Sequence, residues 1–187
     1  MRAPLIALAA SSLLAACTST PPAAPAAPAA PPAQSTAQSA RANLASASGS
    51  IVSGQVTFAP MGNGVHLSGT VGGLAPNSTH GIHVHEKGDC SAADASSAGG
   101  HFNPTASAHG RASAPAHHAG DMDNLVADAD GVAQVNLHLM DVTLGGGAAN
   151  DIAGRALVVH AAPDDYATQP SGNSGARVAC GVITIAP

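Results

Sequence analysis

An all-β domain, built as a sandwich or barrel, is the fold class this sequence predicts, and three observations predict it. Apolar residues recur with period two in short runs, turn residues punctuate those runs, and no window carries a convincing helical stripe. Val52, Gly54, Val56 and Phe58 form one alternating run, and Val65, Leu67, Gly69 and Val71 the next. Ile82 and Val84 then alternate with His83 and His85, and Val135, Leu137 and Leu139 alternate with Asn136 and His138. Residues 155–160 and 177–185 are further strand candidates. Gly62-Asn63-Gly64, Asp130-Gly131 and Gly145-Gly146-Gly147 supply turns. Two stretches, 86–122 and 161–176, lack strand character, and loops of that length inside a compact domain usually carry function.

The segment 49–187 is long enough for one ordinary core. Ahead of it, Met1 and Arg2 give a positive start, and Pro4 to Ala16 is an apolar run broken only by Ser11 and Ser12. That run is too short to span a bilayer but suits the apolar part of a secretory signal. Its end, Leu14-Ala15-Ala16-Cys17, resembles the lipobox of bacterial lipoproteins, in which cleavage precedes the Cys and the Cys carries lipid. The alternative is an ordinary A-x-A cleavage site followed by an incidental Cys. Thr18, where Asp is absent, resembles the sorting signal for the outer membrane. From Thr18 to Ser48 the chain is largely Ala, Pro, Ser, Thr and Gln, with Arg41 its one charge and almost no large apolar group, too little to offset its ordering entropy. The expectation is a signal peptide at 1–16, a lipidated Cys17 opening a disordered tether at 17–48, and a domain at 49–187. The domain is then periplasmic and reaches the membrane through lipid alone.

Composition narrows the function. Lys and Arg number 6 against 11 Asp and Glu, a formal charge of −5, and Lys87 is the sole lysine. Phosphate neutralisation needs clustered cations, so a nucleic-acid partner is excluded. Aromatics make up 2% of the chain, which leaves Val, Leu, Ile and Ala to build the core. Histidine is the excess: ten in all, seven of them between His80 and His118. Imidazole is the commonest metal ligand and the usual proton carrier near neutrality, so a metal or acid–base site is expected.

In His83-Val84-His85, strand geometry sends both imidazoles to one face and Val84 to the other. His101, His109 and His118 follow, then Asp121 and, at the end of a strand, His160: six imidazoles and one carboxylate. Nitrogen-rich tetragonal sites suit copper(II), and three nitrogens with one carboxylate oxygen suit tetrahedral zinc. Two four-coordinate sites need eight ligands, so seven residues suffice only if one imidazole serves both metals.

Five segments carry a family resemblance. They are His80-Gly81-Ile82-His83-Val84-His85-Glu86-Lys87-Gly88-Asp89-Cys90, Ser97-Ala98-Gly99-Gly100-His101-Phe102-Asn103-Pro104, His118-Ala119-Gly120-Asp121, 154–160 and 172–181. Together they closely resemble copper–zinc superoxide dismutase, in its bacterial periplasmic form, across 50–187. The resemblance implies an eight-stranded Greek-key β-barrel or sandwich, immunoglobulin-like, with two long functional loops. It implies one copper per subunit on His83, His85, His101 and His160, and one zinc on His101, His109, His118 and Asp121, with His101 as the bridge. Asp164 then hydrogen-bonds one ligand of each metal, His83 and His109, and Cys90 pairs with Cys180. The implied reaction is dismutation of superoxide to dioxygen and hydrogen peroxide, an antioxidant activity in which Arg177 guides the anion and His101 passes a proton. Lys87 and Arg177, with Arg111 as a further supplier, would provide the local attraction that a net anionic chain lacks. Monomer and homodimer both stay open.

Other residues invite plainer readings. His66 and His138 read as strand-surface residues, His80 as a loop-packing group bonded to backbone, and Arg155 as a structural residue holding a loop carbonyl. His117 neighbours His118 and is its register alternative, although the H-x-G-D spacing favours His118. Asp128-Ala129-Asp130-Gly131 lacks the later ligands of a calcium loop and reads as a turn. The rival to an enzyme is a non-enzymatic copper- or zinc-binding carrier domain, against which the presence of both His160 and Arg177 counts.

Overall fold

The computed structural model describes residues 33–187. The 1–16 signal, Cys17 and the tether as far as residue 32 therefore lie outside the described residues. In chain order the strands are β1 (Ala40–Ser46), β2 (Ser53–Met61), β3 (Gly64–Gly72), β4 (Thr79–His80), β5 (Ile82–His85), β6 (Leu125–Val126), β7 (Ala133–Met140), β8 (Ala156–His160), β9 (Arg177–Val182) and β10 (Thr184–Ile185). Among the described residues the helical content is a single 3₁₀ turn, Ser96–Ala98.

One antiparallel sheet runs in the order β5-β8-β9-β1-β2-β3-β7, with β10 also paired to β1, while β4 and β6 form a two-stranded ladder. Gly81 alone separates β4 from β5, and buried Ile183 alone separates β9 from β10, so the ten segments count as eight strands, two of them interrupted. An Ala127–Ala133 bridge joins the end of β6 to the start of β7, which curls the sheet into a Greek-key β-barrel. Sequence neighbours β3 and β4 lie far apart in the strand order, and β7 returns to pair with β3.

Inward-facing positions follow the predicted alternation. Val56 and Phe58 on β2, Val65, Leu67 and Val71 on β3, and Ile82 and Val84 on β5 are all fully buried. Each large side chain so buried contributes roughly 1.5–3 kcal/mol. Both phenylalanines take part, Phe58 at 0% exposure and Phe102 at 3%, so the core is not aliphatic alone as the composition suggested.

The domain starts earlier than residue 49. β1 lies mid-sheet, between β2 and β9, in a stretch that composition assigned to the tether. Ala40, Ala42 and Leu44 are buried while Arg41 and Asn43 face outward. Methyl groups give too faint an apolar signal for this alternation to stand out from an Ala-rich linker. Even before β1, Thr36 and Ala37 donate their N–H groups to the Leu144 carbonyl, and Leu144 N–H donates to Ser35 Oγ.

Cys90 and Cys180 are disulfide-bonded, 90 residues apart, and fasten the 86–122 loop to β9. In the loop-entropy picture a closure of that span stabilises by at most about 4–5 kcal/mol.

Because β1 has ladder partners on both sides, removing it exposes two strand edges and part of the core. A chain trimmed to 49–187 is expected to be unfolded or aggregated by circular dichroism and gel filtration, whereas 33–187 melts cooperatively. A cooperative melt of 49–187 would contradict the assignment.

Candidate metal centre

β5 has β8 on one side and no full strand on the other, and the 86–122 loop uses that open edge as a template. Phe102 N–H donates to the Val84 carbonyl, Val84 N–H to the Gly120 carbonyl, and Glu86 N–H to the Gly100 carbonyl. Isolated bridges then set His101 opposite His85 and Asp121 opposite His83. Gly120 is required where the chains cross, since a Cβ there would collide with the Val84 carbonyl. On the other side, β8 and β9 shift register between Val159 and His160, so that His160 pairs directly with Arg177. A bulge of this kind re-aims a side chain at the end of a strand.

These devices bring the seven predicted ligands together on the outer surface of β5 and β8, beneath the loops. They fall into two four-residue groups, His83, His85, His101 and His160, and His101, His109, His118 and Asp121, with candidate ligand atoms within 4.8 Å of one another in each. His101 belongs to both. All six histidines are at most 8% exposed and Asp121 is fully buried.

Most rings have one nitrogen fixed by a protein acceptor. His83 Nε2 lies 2.8 Å from Asp164 Oδ2, and His109 Nε2 lies 3.0 Å from Asp164 Oδ1, so a single carboxylate orients one ring from each group. His85 Nδ1 donates to the Gly99 carbonyl at 2.9 Å and His160 Nδ1 to the Gly175 carbonyl at 3.3 Å. Partners of this type fix tautomer and ring direction.

The opposite nitrogens have no such partner. His83 Nδ1, His101 Nε2 and His109 Nδ1 are buried without a hydrogen bond. His109 Nδ1 is 3.0 Å from Asp121 Oδ2, but the alignment is not that of an N–H donor. His85 Nε2 faces His160 Nε2 at 3.3 Å, and His118 Nδ1 faces His101 Nδ1 at 3.4 Å. Lone pairs aimed at one another and at empty directions are costly in a dry interior, and a cation at each focus resolves the cost. The residues therefore fit two metal ions, one with four imidazole nitrogens and one with three nitrogens and a carboxylate.

Burial dictates the charge state. Desolvation holds His83 down at about 4 and His160 at about 3, and His85 well below its usual value. His118 is lowered for the same reason. For Asp121, burial alone favours the neutral acid, but hydrogen bonds from His101 and from the His118 and Gly110 N–H groups outweigh it and keep the carboxylate ionised. Asp164 shows the same balance, with His83 as the leading donor against burial.

Arg177 is half-buried, its Nη1 donating to the Ala95 carbonyl and its Nη2 to the Gly99 carbonyl, both at 2.6 Å. The Gly99 oxygen thus holds both Arg177 and His85. Lys87 is exposed. Arg111 is not a free cation: it pairs with Asp123 at 3.1 Å and lies over the Tyr166 ring at 4.8 Å, which corrects its expected place among the anion attractors. Arg155 donates to the Asp151 and Glu86 carbonyls and covers Phe102, a structural role. His80 Nδ1 donates to the His160 carbonyl, and His117 turns its Nδ1 to the His118 carbonyl, outside both groups. The Asp128 turn satisfies itself, its carboxylate accepting from the N–H groups of Asp130 and Val132.

The chain matches the copper/zinc superoxide dismutase (SODC) family over residues 52–183. The chain belongs to the copper/zinc superoxide dismutase family. It is 40% identical over 147 residues to superoxide dismutase [Cu-Zn] 2 of Aquifex aeolicus, covering 77% of this chain and 85% of that one. The superoxide dismutase-like protein YojM of Bacillus subtilis is 43% identical over 122 residues, 64% of this chain and 61% of the relative. Among solved structures, the clock protein EA4 superposes with a TM-score of 0.72 at 37% identity, covering 82% of this chain and 98% of its own.

In this family member two supporting residues escaped the sequence reading. Asn124 holds Asp164 by both backbone groups, donating from Nδ2 to its carbonyl and accepting its N–H at Oδ1, each at 2.9 Å. Gln169 does the same for His109 at 2.8 and 2.9 Å. Each is an isolated amide in a loop, and no motif marks it.

The depressed imidazole values set a pH trend. Unfolded histidines protonate near 6.5, whereas His83 and His160 in the fold resist protonation until about 4 and about 3. Unfolding therefore takes up protons below about 6.5, and the chelated domain loses stability as pH falls from there towards 4. The lowered carboxyls of Asp121 and Asp164 add stability above the ordinary carboxylate range and lose it below, so they extend the same trend. The melting temperature of the chelated protein is expected to fall steadily from pH 7 to pH 4, and a flat profile would count against neutral buried imidazoles.

Proposed function

We propose that this chain is a superoxide dismutase, converting superoxide to dioxygen and hydrogen peroxide. In this reading one copper is held by His83, His85, His101 and His160, and one zinc by His101, His109, His118 and Asp121. Bound copper supplies a one-electron couple that superoxide can reduce and then reoxidise, and zinc, without redox chemistry, fixes the shared ring.

The chain's own groups do the rest. Arg177 carries a permanent positive charge, and the two carbonyls that anchor it leave further N–H donors for a small anion. His101 is the proton carrier: its Nδ1 lies beside His118 and Asp121, where zinc would be held, which leaves its buried, unpartnered Nε2 as the atom that would accept a proton and pass it on to the product. Asp164 keeps His83 and His109 from rotating while this happens.

The observation that carries the reading is the cross-strand pairing of Arg177 with His160, which puts a fixed cation beside the four-imidazole group. A metal carrier needs the imidazoles but has no use for that guanidinium. A unit charge within about 8 Å of an anion, at an effective dielectric of about 20–40, contributes roughly 1–2 kcal/mol, or about tenfold in rate. Arg177→Gln is accordingly expected to lower the second-order rate measured by pulse radiolysis by about tenfold and to flatten its salt dependence. Rates equal to wild type at low ionic strength would refute the role. Metal binding without superoxide loss in the wild-type chain, with His160→Ala as control, would hand the function to the carrier.

We also place the protein in the periplasm, lipid-anchored through Cys17. The Cys90–Cys180 disulfide supports this, since such bonds persist in oxidising compartments. Metabolic palmitate labelling is expected to mark the wild-type chain and to be lost in Cys17→Ser, and an unlabelled wild type would leave plain signal cleavage instead.

A further inference from the structure

The sheet formed by β2, β3 and β7 lies away from the imidazole cluster, which β5 and β8 support, and its outer face carries an unusual donor set. Register places Met61, Gly64 and Met140 in one row across the three strands, and Ala59, His66 and His138 in the next. Strand alternation sends all six outward, since Phe58, Val65, Leu67 and Leu139 between them are buried. Met61 is 51% exposed and Met140 41%, although methionine is ordinarily a buried residue.

The row between the methionines has no central side chain: Gly64 is buried, and a Cβ there would collide with the Leu139 carbonyl. Neighbouring strands are about 4.8 Å apart, so Met61 and Met140 stand about two spacings from each other, within reach of two flexible thioethers. His138 leans over the same spot: a Cβ on Gly64 would lie 3.1 Å from its Nε2. Its Nδ1 is buried without a hydrogen-bond partner among the described residues. His66 stands directly opposite it. The adjoining carboxylate, Asp141, is engaged by Asn63 Nδ2 at 3.3 Å, so the donors on this patch are two sulfurs and two imidazoles.

Thioether and imidazole donors together select copper(I), and they disfavour the hard cations that prefer oxygen. We propose that Met61, Met140, His66 and His138 form a second metal site, an exposed and exchangeable copper(I) site on the outer face of the barrel. It shares no residue with the dinuclear centre and serves to hold copper(I) rather than to turn over substrate.

The test uses the full chain with its dinuclear centre already filled with copper and zinc. Copper(I), kept reduced with ascorbate, is presented in competition with bicinchoninate. Wild type is expected to take one additional copper(I) per chain, with a copper–sulfur shell in its X-ray absorption spectrum. Met61→Leu with Met140→Leu is expected to lose that shell and to weaken retention by more than about tenfold, because the soft donors carry the selectivity, while superoxide dismutation is unchanged. Retention equal in the double variant, a shell of nitrogen and oxygen alone, or no additional copper(I) would overturn the proposal. So would a double variant whose sole change is in oligomeric state, which would make the face a contact between copies.

Discussion

Six imidazoles, each at most 8% exposed and crowded into one cluster, are the constraint on which the rest of the structure depends. Burial disfavours charge on His83, His85, His118 and His160, and none of the six can be left free to rotate, because a turned ring would bury an unsatisfied N–H. The chain meets both demands by giving rings an acceptor on the side away from the metal foci. Asp164 is the most economical of these acceptors, since its two oxygens hold His83 and His109 and thereby tie the two groups to one rigid point. Asn124 in turn clamps the backbone of Asp164, so the order is passed outward from ring to carboxylate to loop.

The barrel's contribution is a stiff, half-used edge. β5 lends its free side to the 86–122 loop, and that loop returns four candidate ligands, His101, His109, His118 and Asp121, and the two carbonyls that hold Arg177. The Gly99 carbonyl links His85 with Arg177, and the disulfide fixes the same loop to β9, three residues from Arg177. Arg177 and the imidazole cluster therefore share their supports.

The site was more legible in the sequence than the fold that carries it. Ligands are polar residues in short motifs, and chemistry forbids many substitutes, so His83, His85 and His160 stand out from a background of Ala and Gly. β1 did not stand out, because alanine fills two of its three buried positions and serves a linker equally well. β4 and β6, at two residues each, are too short for any period to show. The ion pair of Arg111 with Asp123 and the amide clamps of Asn124 and Gln169 depend on where two loops meet, which local sequence does not record. The same holds for Met61 and Met140, which became neighbours only through strand register.

The position of β1 has a temporal side. Its partner β2 is made at once, but its other partners, β9 and β10, are the last strands of the chain. Pairings of such long reach are slow, because loop closure must precede the contacts that reward it. Until those residues arrive the barrel stays unzipped along one seam, and Arg177, carried on β9, has no place beside His160. The cation beside the four-imidazole group is therefore the last part of the site to settle.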